Sequence, residues 1–260
     1  MVPISQTACK RRRALRVAKQ TDKGIDVNKV AIVTGGRAGI GKACVEKFIE
    51  QGYQVVNLSR RPSELAGCID IAADFTCSDW HDSAAHLLQP RLQNAEQLVV
   101  IHNAGMHASD TAVAVDATVM RDSLNVNVVA PAVLNTLIEP YLTEGSSILY
   151  IGSTLSEKAV AGCVSYVTSK HAVIGLMRST CQDLVGRGVH TACVCPGFTD
   201  TEMLRHHVGG SDDVLKDIAT LCTQNRLIQP AEIAETLYFC ATNAVINGTV
   251  LHANLGQVER

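Results

Sequence analysis

Residues 29–52 read KVAIVTGGRAGIGKACVEKFIEQG, an apolar β-rich run that stops at glycine and turns at once into a helical pattern. Ile40, Cys44, Phe48 and Ile49 recur at helical spacing, and Gly52 closes the pattern. A strand apolar on both faces must be covered on both, and one that feeds straight into a helix is suited to a parallel crossover. The same change of period recurs down the chain. YQVVNLS, CIDIAADF, EQLVVIHNAG, SSILYIGS, HTACVCPG and GTVLHAN read as further strands. Between them lie the helical stretch SDWHDSAAHLLQPRL, a long pattern from about Asp116 to Ile138, another from Cys163 to about Val185, and one ending in ETLYFCAT. This alternation predicts an α/β architecture, a parallel sheet with helices on both faces.

Boundaries and compartment follow from charge and composition. The chain has 260 residues, 47% of them hydrophobic, enough for one well-filled core. Neither a repeat nor an interdomain linker interrupts it after residue 29. Residues 28–260 are therefore expected to form a single domain, preceded by a basic extension, residues 1–27. Residues 1–29 hold eight Lys/Arg and two Asp/Glu, a sum of +6, so with a net charge of -2 the remainder carries -8. An acidic body is a poor partner for nucleic acid. The head, with its CKRRRALRVAK, reads most simply as a loose tail; a basic arm for an anionic partner and a targeting segment are the alternatives. No apolar run is long enough to span a bilayer. The ten cysteines are scattered without a CxxC, and Cys193 and Cys195 lie inside the strand TACVC. Reduced thiols, a cytoplasmic location and no metal site are expected.

The glycine cluster TGGRAGIG, Thr34 to Gly41, stands between a strand and a helix. In that context Gly35, Gly39 and Gly41 permit a tight turn and close backbone approach, and the helix N-terminus offers N–H groups to a pyrophosphate. The spacing is TGxxxGxG rather than GxGxxG. Further on, CVSYVTSKHAV places Tyr166 and Lys170 four residues apart, on one helix face. A free phenol, with a pKa of about 10, is a weak base at neutral pH, and a nearby ammonium favours its ionised form. Ser153 falls at the end of the fifth strand, at the sheet edge where ligands bind in such folds.

Taken in order, TGxxxGxG, NAG (Asn103 to Gly105), Ser153, YxxxK (Tyr166 and Lys170) and PG (Pro196 and Gly197) resemble the short-chain dehydrogenase/reductase family, in particular 3-oxoacyl reductases and related NADP-dependent carbonyl reductases. The resemblance covers residues 28–256 and implies a three-layer, doubly wound Rossmann fold with a seven-stranded parallel sheet. It implies that Tyr166 is the general acid/base, that Ser153 bonds the substrate oxygen, and that Lys170 also holds the nicotinamide ribose. Asn127, in NVNVVAP, fits the family's fourth catalytic position, an Asn that interrupts the long helix and holds a proton-relay water; Asn125 is the alternative. Thr34, Gly35, Arg37, Gly39, Ile40 and Gly41 are implied as cofactor contacts, with Asn103, Ala104, Gly105, Pro196 and Gly197. Asp74 corresponds to the residue accepting from the adenine amino group, and Thr201 to a hydroxyl that meets the carboxamide or phosphates.

Cofactor choice turns on VVNLSRRPS. Where NAD-preferring relatives often carry an acidic residue, this chain has Ser59, followed by Arg60 and Arg61. An arginine grips a 2'-phosphate bidentately, so NADP(H) is favoured, with NAD(H) the alternative. Residues 200–228 occupy the place of a substrate lid. Their His206 and His207 read more simply as polar lid surface than as a metal or anion site. Leu155, Val160 and Phe198 are candidates to line a mainly apolar pocket for a small carbonyl or alcohol substrate. The end ANLGQ departs from the family's DGG. Resemblance, together with the apolar character of the two long helices, implies a homo-oligomer, a dimer or a homotetramer. An NAD-dependent alcohol dehydrogenase and a dinucleotide-binding regulatory protein on the same fold are the competing functions. A serine hydrolase is not, since IGSTL is no GxSxG elbow.

Overall fold

The computed structural model describes residues 29–257; the basic extension, residues 1–27, lies outside them. Seven strands form one parallel sheet: β1 (Lys29–Thr34), β2 (Gln54–Ser59), β3 (Cys68–Ala72), β4 (Gln97–His102), β5 (Ser147–Ile151), β6 (His190–Pro196) and β7 (Thr249–Ala253). Their spatial order is β3-β2-β1-β4-β5-β6-β7. The chain winds outward from β1 to β3, then returns to place β4 on the other side of β1. That reversal opens a crevice beyond the C-terminal ends of β1 and β4, the place where such sheets bind ligands.

Alternate strand residues supply two cores. Val30, Ile32, Val56, Leu58, Leu98, Val100, Ile148 and Tyr150 face α2 (Trp80–Leu92), α4 (Ala130–Ile138) and α5 (Val164–Asp183). Ala31, Val33, Val55, Val99, Ile101, Leu149 and Val194 face α1 (Gly39–Glu50) and α8 (Pro230–Thr242). Both faces are covered, which is why the strands read as unbroken apolar runs. This is the expected three-layer, doubly wound fold.

The long helical pattern from Asp116 is broken, as the resemblance implied. α3 (Ala117–Leu124) passes into a π-helical turn at Asn125–Val129 before α4 resumes. Asp116 caps α3, its carboxylate accepting from the N–H groups of Thr118 and Val119. The region 200–228 holds two short helices that the sequence pattern did not mark out, α6 (Glu202–His207) and α7 (Asp212–Ala219), capped by Thr201 and Ser211. The altered ANLGQ end still turns: Asn254 Oδ1 accepts from Gly256 N at 3.1 Å, and Thr223 Oγ1 donates to Leu255 O at 2.9 Å. No helix among the described residues is long and apolar enough to cross a membrane.

A buried polar chain ties the site-bearing elements together. His102 Nε2 meets Asn135 Oδ1 at 2.8 Å, Asn135 Nδ2 donates to Tyr150 OH at 2.6 Å, and Tyr150 OH meets Thr180 Oγ1 at 2.9 Å. Thr180 Oγ1 in turn donates to Leu176 O. The direction of this chain makes His102 Nε2 a donor, so the imidazole is the neutral Nε2–H tautomer. Burial pushes the His102 pKa down to about 4, only partly opposed by the bond to Asn135. The unfolded chain therefore takes up a proton near pH 6.5 that the folded protein refuses until about pH 4. Stability is whole above the upper value and falls as pH drops between the two, by roughly 3 kcal/mol in total. Urea melts of wild type and His102→Gln at about pH 7 and about pH 5 should show a smaller acid loss in the variant, by roughly 2 kcal/mol. Parallel losses would remove His102 as the cause.

Candidate active site

The glycine turn between β1 and α1 is shaped by close contacts. Gly35 and Gly39 have φ of +71° and +54°, in the left-handed region that favours glycine. A Cβ on Gly41 would overlap the carbonyl oxygen of Gly35 and the side-chain amide of Asn103, so α1 starts flush against the loop. A Cβ on Gly39 would lie 3.1 Å from Thr201 Cγ2, which brings the start of α6 against the same loop. Ala38 caps α1 without a side-chain hydrogen bond, and its first turn has no acidic residue. The first N–H groups of α1 thus receive no side-chain cap, the arrangement that leaves them to a phosphate group. These residues fit a dinucleotide, with a cradle of backbone donors from which side chains are sterically excluded. Ile40 lies in the first turn of α1, half-buried.

Several expected contacts support this loop from behind. Thr34 is buried; its Oγ1 donates to Ile101 O and accepts from Asn103 N at 3.0 Å and Ala104 N at 2.9 Å. Asn103 Nδ2 donates to Thr34 O at 2.9 Å and Gly35 O at 3.2 Å. Together they lock the ends of β1 and β4 at the crevice. Pro196 ends β6, and Gly197 N donates to Ala253 O at 3.0 Å. Asp74 turns its carboxylate on Thr76, accepting from both N and Oγ1.

A second buried network holds the turn after β2. Asn57, fully buried, accepts from Gly36 N at 2.7 Å and donates to Asp70 at 2.7 Å and Ser59 Oγ at 3.0 Å. Asp70 also accepts from Ser63 N and Ser63 Oγ, and Ser59 Oγ donates to Arg61 O. Ser59 is thereby spent inside the turn. Arg60 and Arg61 are exposed and have no ion-pair partner among the described residues. Beside the glycine loop, Arg37, Lys42, Ser63, Glu64 and Glu202 help line a cavity of about 310 Å³. Sequence reading missed Gly36, Asn57, Asp70 and Ser63, although a polar residue in the middle of an apolar strand was a usable signal at Asn57.

Across the crevice, α5 presents the remaining groups. Lys170 is 4% exposed, its Nζ donates to Ile151 O at 2.7 Å, and it lies 5.6 Å from the Tyr166 ring centroid. Tyr166 is half-buried, and its hydroxyl has no hydrogen bond among the described residues. β5 ends at Ile151, so Ser153 stands two residues beyond the strand, capping a 3₁₀ turn that packs against α5. Ser153 Oγ accepts from Leu155 N at 3.1 Å, which leaves its proton to donate. Gly152 makes this exit from the sheet, since a Cβ there would come within 2.5 Å of Cys195 Sγ. Cys193 and Cys195 are fully buried strand residues.

Asn127 is buried in the π-helical turn. Its Oδ1 accepts from Met106 N at 2.7 Å, and its Nδ2 donates to Met106 O at 3.0 Å and Ser169 Oγ at 2.7 Å. A methyl on Gly105 would sit 3.8 Å from Asn127 Oδ1 and 3.9 Å from Lys170 Nζ, so Asn127, Gly105 and Lys170 converge. Leu155 and Phe198 are half-buried, whereas Val160 is exposed. Sequence reading also missed His107, whose ring lies 4.8 Å from Tyr166; His207 is exposed on α6, as expected of a polar lid surface, and its ring meets that of His107.

A sequence profile described as short chain dehydrogenase matches residues 29–209. The chain belongs to the short-chain dehydrogenase family, whose members are nicotinamide-dependent oxidoreductases acting on carbonyl or CH–OH groups. It is 27% identical to a short-chain dehydrogenase of Aspergillus ruber over 250 residues, covering 84% of this chain and 92% of that protein. It is 26% identical to the 3-oxoacyl-[acyl-carrier-protein] reductase FabG of Vibrio harveyi, covering 88% and 96%. Among solved structures, ligand-free aldohexose dehydrogenase of Thermoplasma acidophilum matches with a TM-score of 0.81 at 28% identity, over 88% of this chain and 94% of that one.

Proposed function

We propose that the protein is an NADP(H)-dependent oxidoreductase that interconverts a carbonyl and a secondary alcohol, with Tyr166 as general acid/base. The observation that carries this reading is the pairing on α5: an unbonded phenol with a buried ammonium 5.6 Å from its ring centroid. The nicotinamide supplies or accepts the hydride when bound. In the reductive direction the Tyr166 hydroxyl gives its proton to the substrate oxygen, and Ser153 donates a hydrogen bond to the same oxygen. Lys170 is held by Ile151 O at 2.7 Å, so its charge stays beside the phenol as negative charge develops there. Its remaining N–H groups are available to a ribose. Asn127 fixes Met106 and Ser169, the chain neighbours of Gly105 and Lys170, a positioning role that also suits the end of a proton relay. The reductase name of the Vibrio relative agrees with the reductive direction.

The preference for NADP(H) rests on Arg60 and Arg61, exposed after β2 and without an ion-pair partner among the described residues, and on Arg37, which lines the cavity beside the glycine loop. A 2'-phosphate would face this basic set, where charge-assisted bonds contribute about 1.5–3 kcal/mol each. Fluorescence titrations should find NADPH bound more tightly than NADH, with Arg60→Ala narrowing the gap by on the order of tenfold. Equal affinities that persist in the variant would remove the reason for preferring NADP(H). Residues 29–257 work as a single unit in this reading, with α6 and α7 as the substrate lid. Phe239 on α8 and Val129 in the π-helical turn, both about half exposed, offer apolar surface for a homotetramer in a cytoplasmic setting. The outer positions of α5, among them Thr168, His171, Gly175 and Arg178, are small or polar, so its apolar residues serve the core instead.

A further inference from the structure

Two imidazoles meet over Tyr166. His107, in the loop after β4, has its ring centroid 4.8 Å from that of Tyr166. His207, in the last turn of α6, lies edge-on to His107 at 4.5 Å. Neither ring has a hydrogen bond or ion pair among the described residues. His107 is not loosely placed, because Asn127 grips both main-chain groups of the adjacent Met106.

The acids around this mouth are already engaged. Asp110, from the His107 loop, accepts from Ser165 N at 3.1 Å and from Ser165 Oγ. Asp200 is held bidentately by Arg205 at 2.7 and 2.9 Å, and Glu157 pairs with His252 at 2.8 Å. On α6, Glu202 lines the cavity with Arg37 and Lys42, while His206 and His207 are both exposed, His207 with its ring against His107. α5 contributes Tyr166 and the buried Lys170. The two imidazoles have no carboxylate in hydrogen-bond contact among the described residues, Asp110 acting on His107 only at longer range, and His107 lies against the Tyr166 ring.

We propose that His107 and His207 form the recognition site for a carboxylate carried by the substrate, so that the reacting compound is an oxo acid or hydroxy acid. This rests on the reading of Tyr166 as the acid/base. An imidazolium offers a carboxylate a charge-assisted hydrogen bond, and two of them on one anion define its orientation. Without an anion, protonating His107 is disfavoured: burial and then the charge of His207 hold its pKa below the ordinary value, with Asp110 the smaller opposing influence. An anion bonded to both rings from their open edges offsets both effects, so binding takes up protons and strengthens as pH falls.

The test needs no turnover. In NADP⁺-loaded enzyme with ¹³C-labelled histidine, the His107 and His207 signals, assigned with His107→Gln and His207→Gln, are titrated against pH with butanoate or with butanamide. Butanoate should raise both midpoints by roughly one pH unit or more, and butanamide should leave them in place. Unmoved midpoints, or equal movement with the amide, would overturn the carboxylate site while leaving the acid/base role of Tyr166 untouched. Kinetics with 3- and 4-oxo acids and their methyl esters give a second reading. The acid's KM should fall by on the order of tenfold between about pH 8 and pH 6, with no such fall for the ester. His207→Gln should abolish that fall, and His206→Gln, at the neighbour whose ring makes no contact with His107, should preserve it. A fall that survives in the double variant His107→Gln/His207→Gln would contradict the assignment.

Discussion

Tyr166→Phe should lower kcat by about 10²–10⁴ while leaving the thermal midpoint and nicotinamide affinity at wild-type values. The separation of effects follows from geometry. The phenol oxygen has no hydrogen bond among the described residues, so removing it orphans no protein group. The ring remains to pack against His107. What is lost is the proton that the substrate oxygen must receive. Lys170 would be a poorer first choice for mutation, because its bond to Ile151 O mixes structure with chemistry. Turnover by Tyr166→Phe within tenfold of wild type on a good substrate would refute the acid/base assignment.

Gly41→Ala is the second large effect expected, and it acts on the cofactor. The added methyl would overlap Gly35 O and Asn103 Nδ2 and lie 2.9 Å from the Gly35 carbonyl carbon, so the helix must move off the loop. Overpacking of this kind costs about 1–3 kcal/mol. Asn103 would also lose its hold on Thr34 O and Gly35 O, and the backbone donors of the cradle would no longer converge. Nicotinamide affinity should drop by at least on the order of tenfold. Gly175→Ala is the control, since a Cβ there meets nothing within 4 Å. In the exposed middle of α5 it should stabilise by about 0.5–1 kcal/mol. A Gly41→Ala protein that binds the cofactor like wild type would show that close packing at the loop is dispensable.

Much of this was legible in the chain because it is local. A strand buried on both faces must be an apolar run, and a chain that leaves it for a helix shows glycine at the break; KVAIVTGG displays both. Tyr166 and Lys170 share a face by helical geometry alone. Even the break at Asn127 was readable through family resemblance. What the sequence hid depends on distant contacts. Asn57 and Asp70 meet only because β2 and β3 pair in register, with Asn57 opposite Asp70. His107 lies in the loop after β4 and His207 on α6, a hundred residues later, and only the folding of 200–228 brings them together. α6 is a single short turn-and-a-half whose cap, Thr201, looks like any loop threonine until its hydroxyl is seen to accept from Leu204 N.

The most direct test follows NADPH fluorescence in wild type and Tyr166→Phe side by side, against ketones, 3-oxoacyl thioesters, oxo acids, sugars and steroids, with NADH in parallel. The account predicts that wild type consumes NADPH with at least one carbonyl class, faster than NADH, and that Tyr166→Phe binds NADPH equally well but scarcely consumes it. Equal consumption by the two proteins, or none by a folded wild type that binds either cofactor, would contradict it.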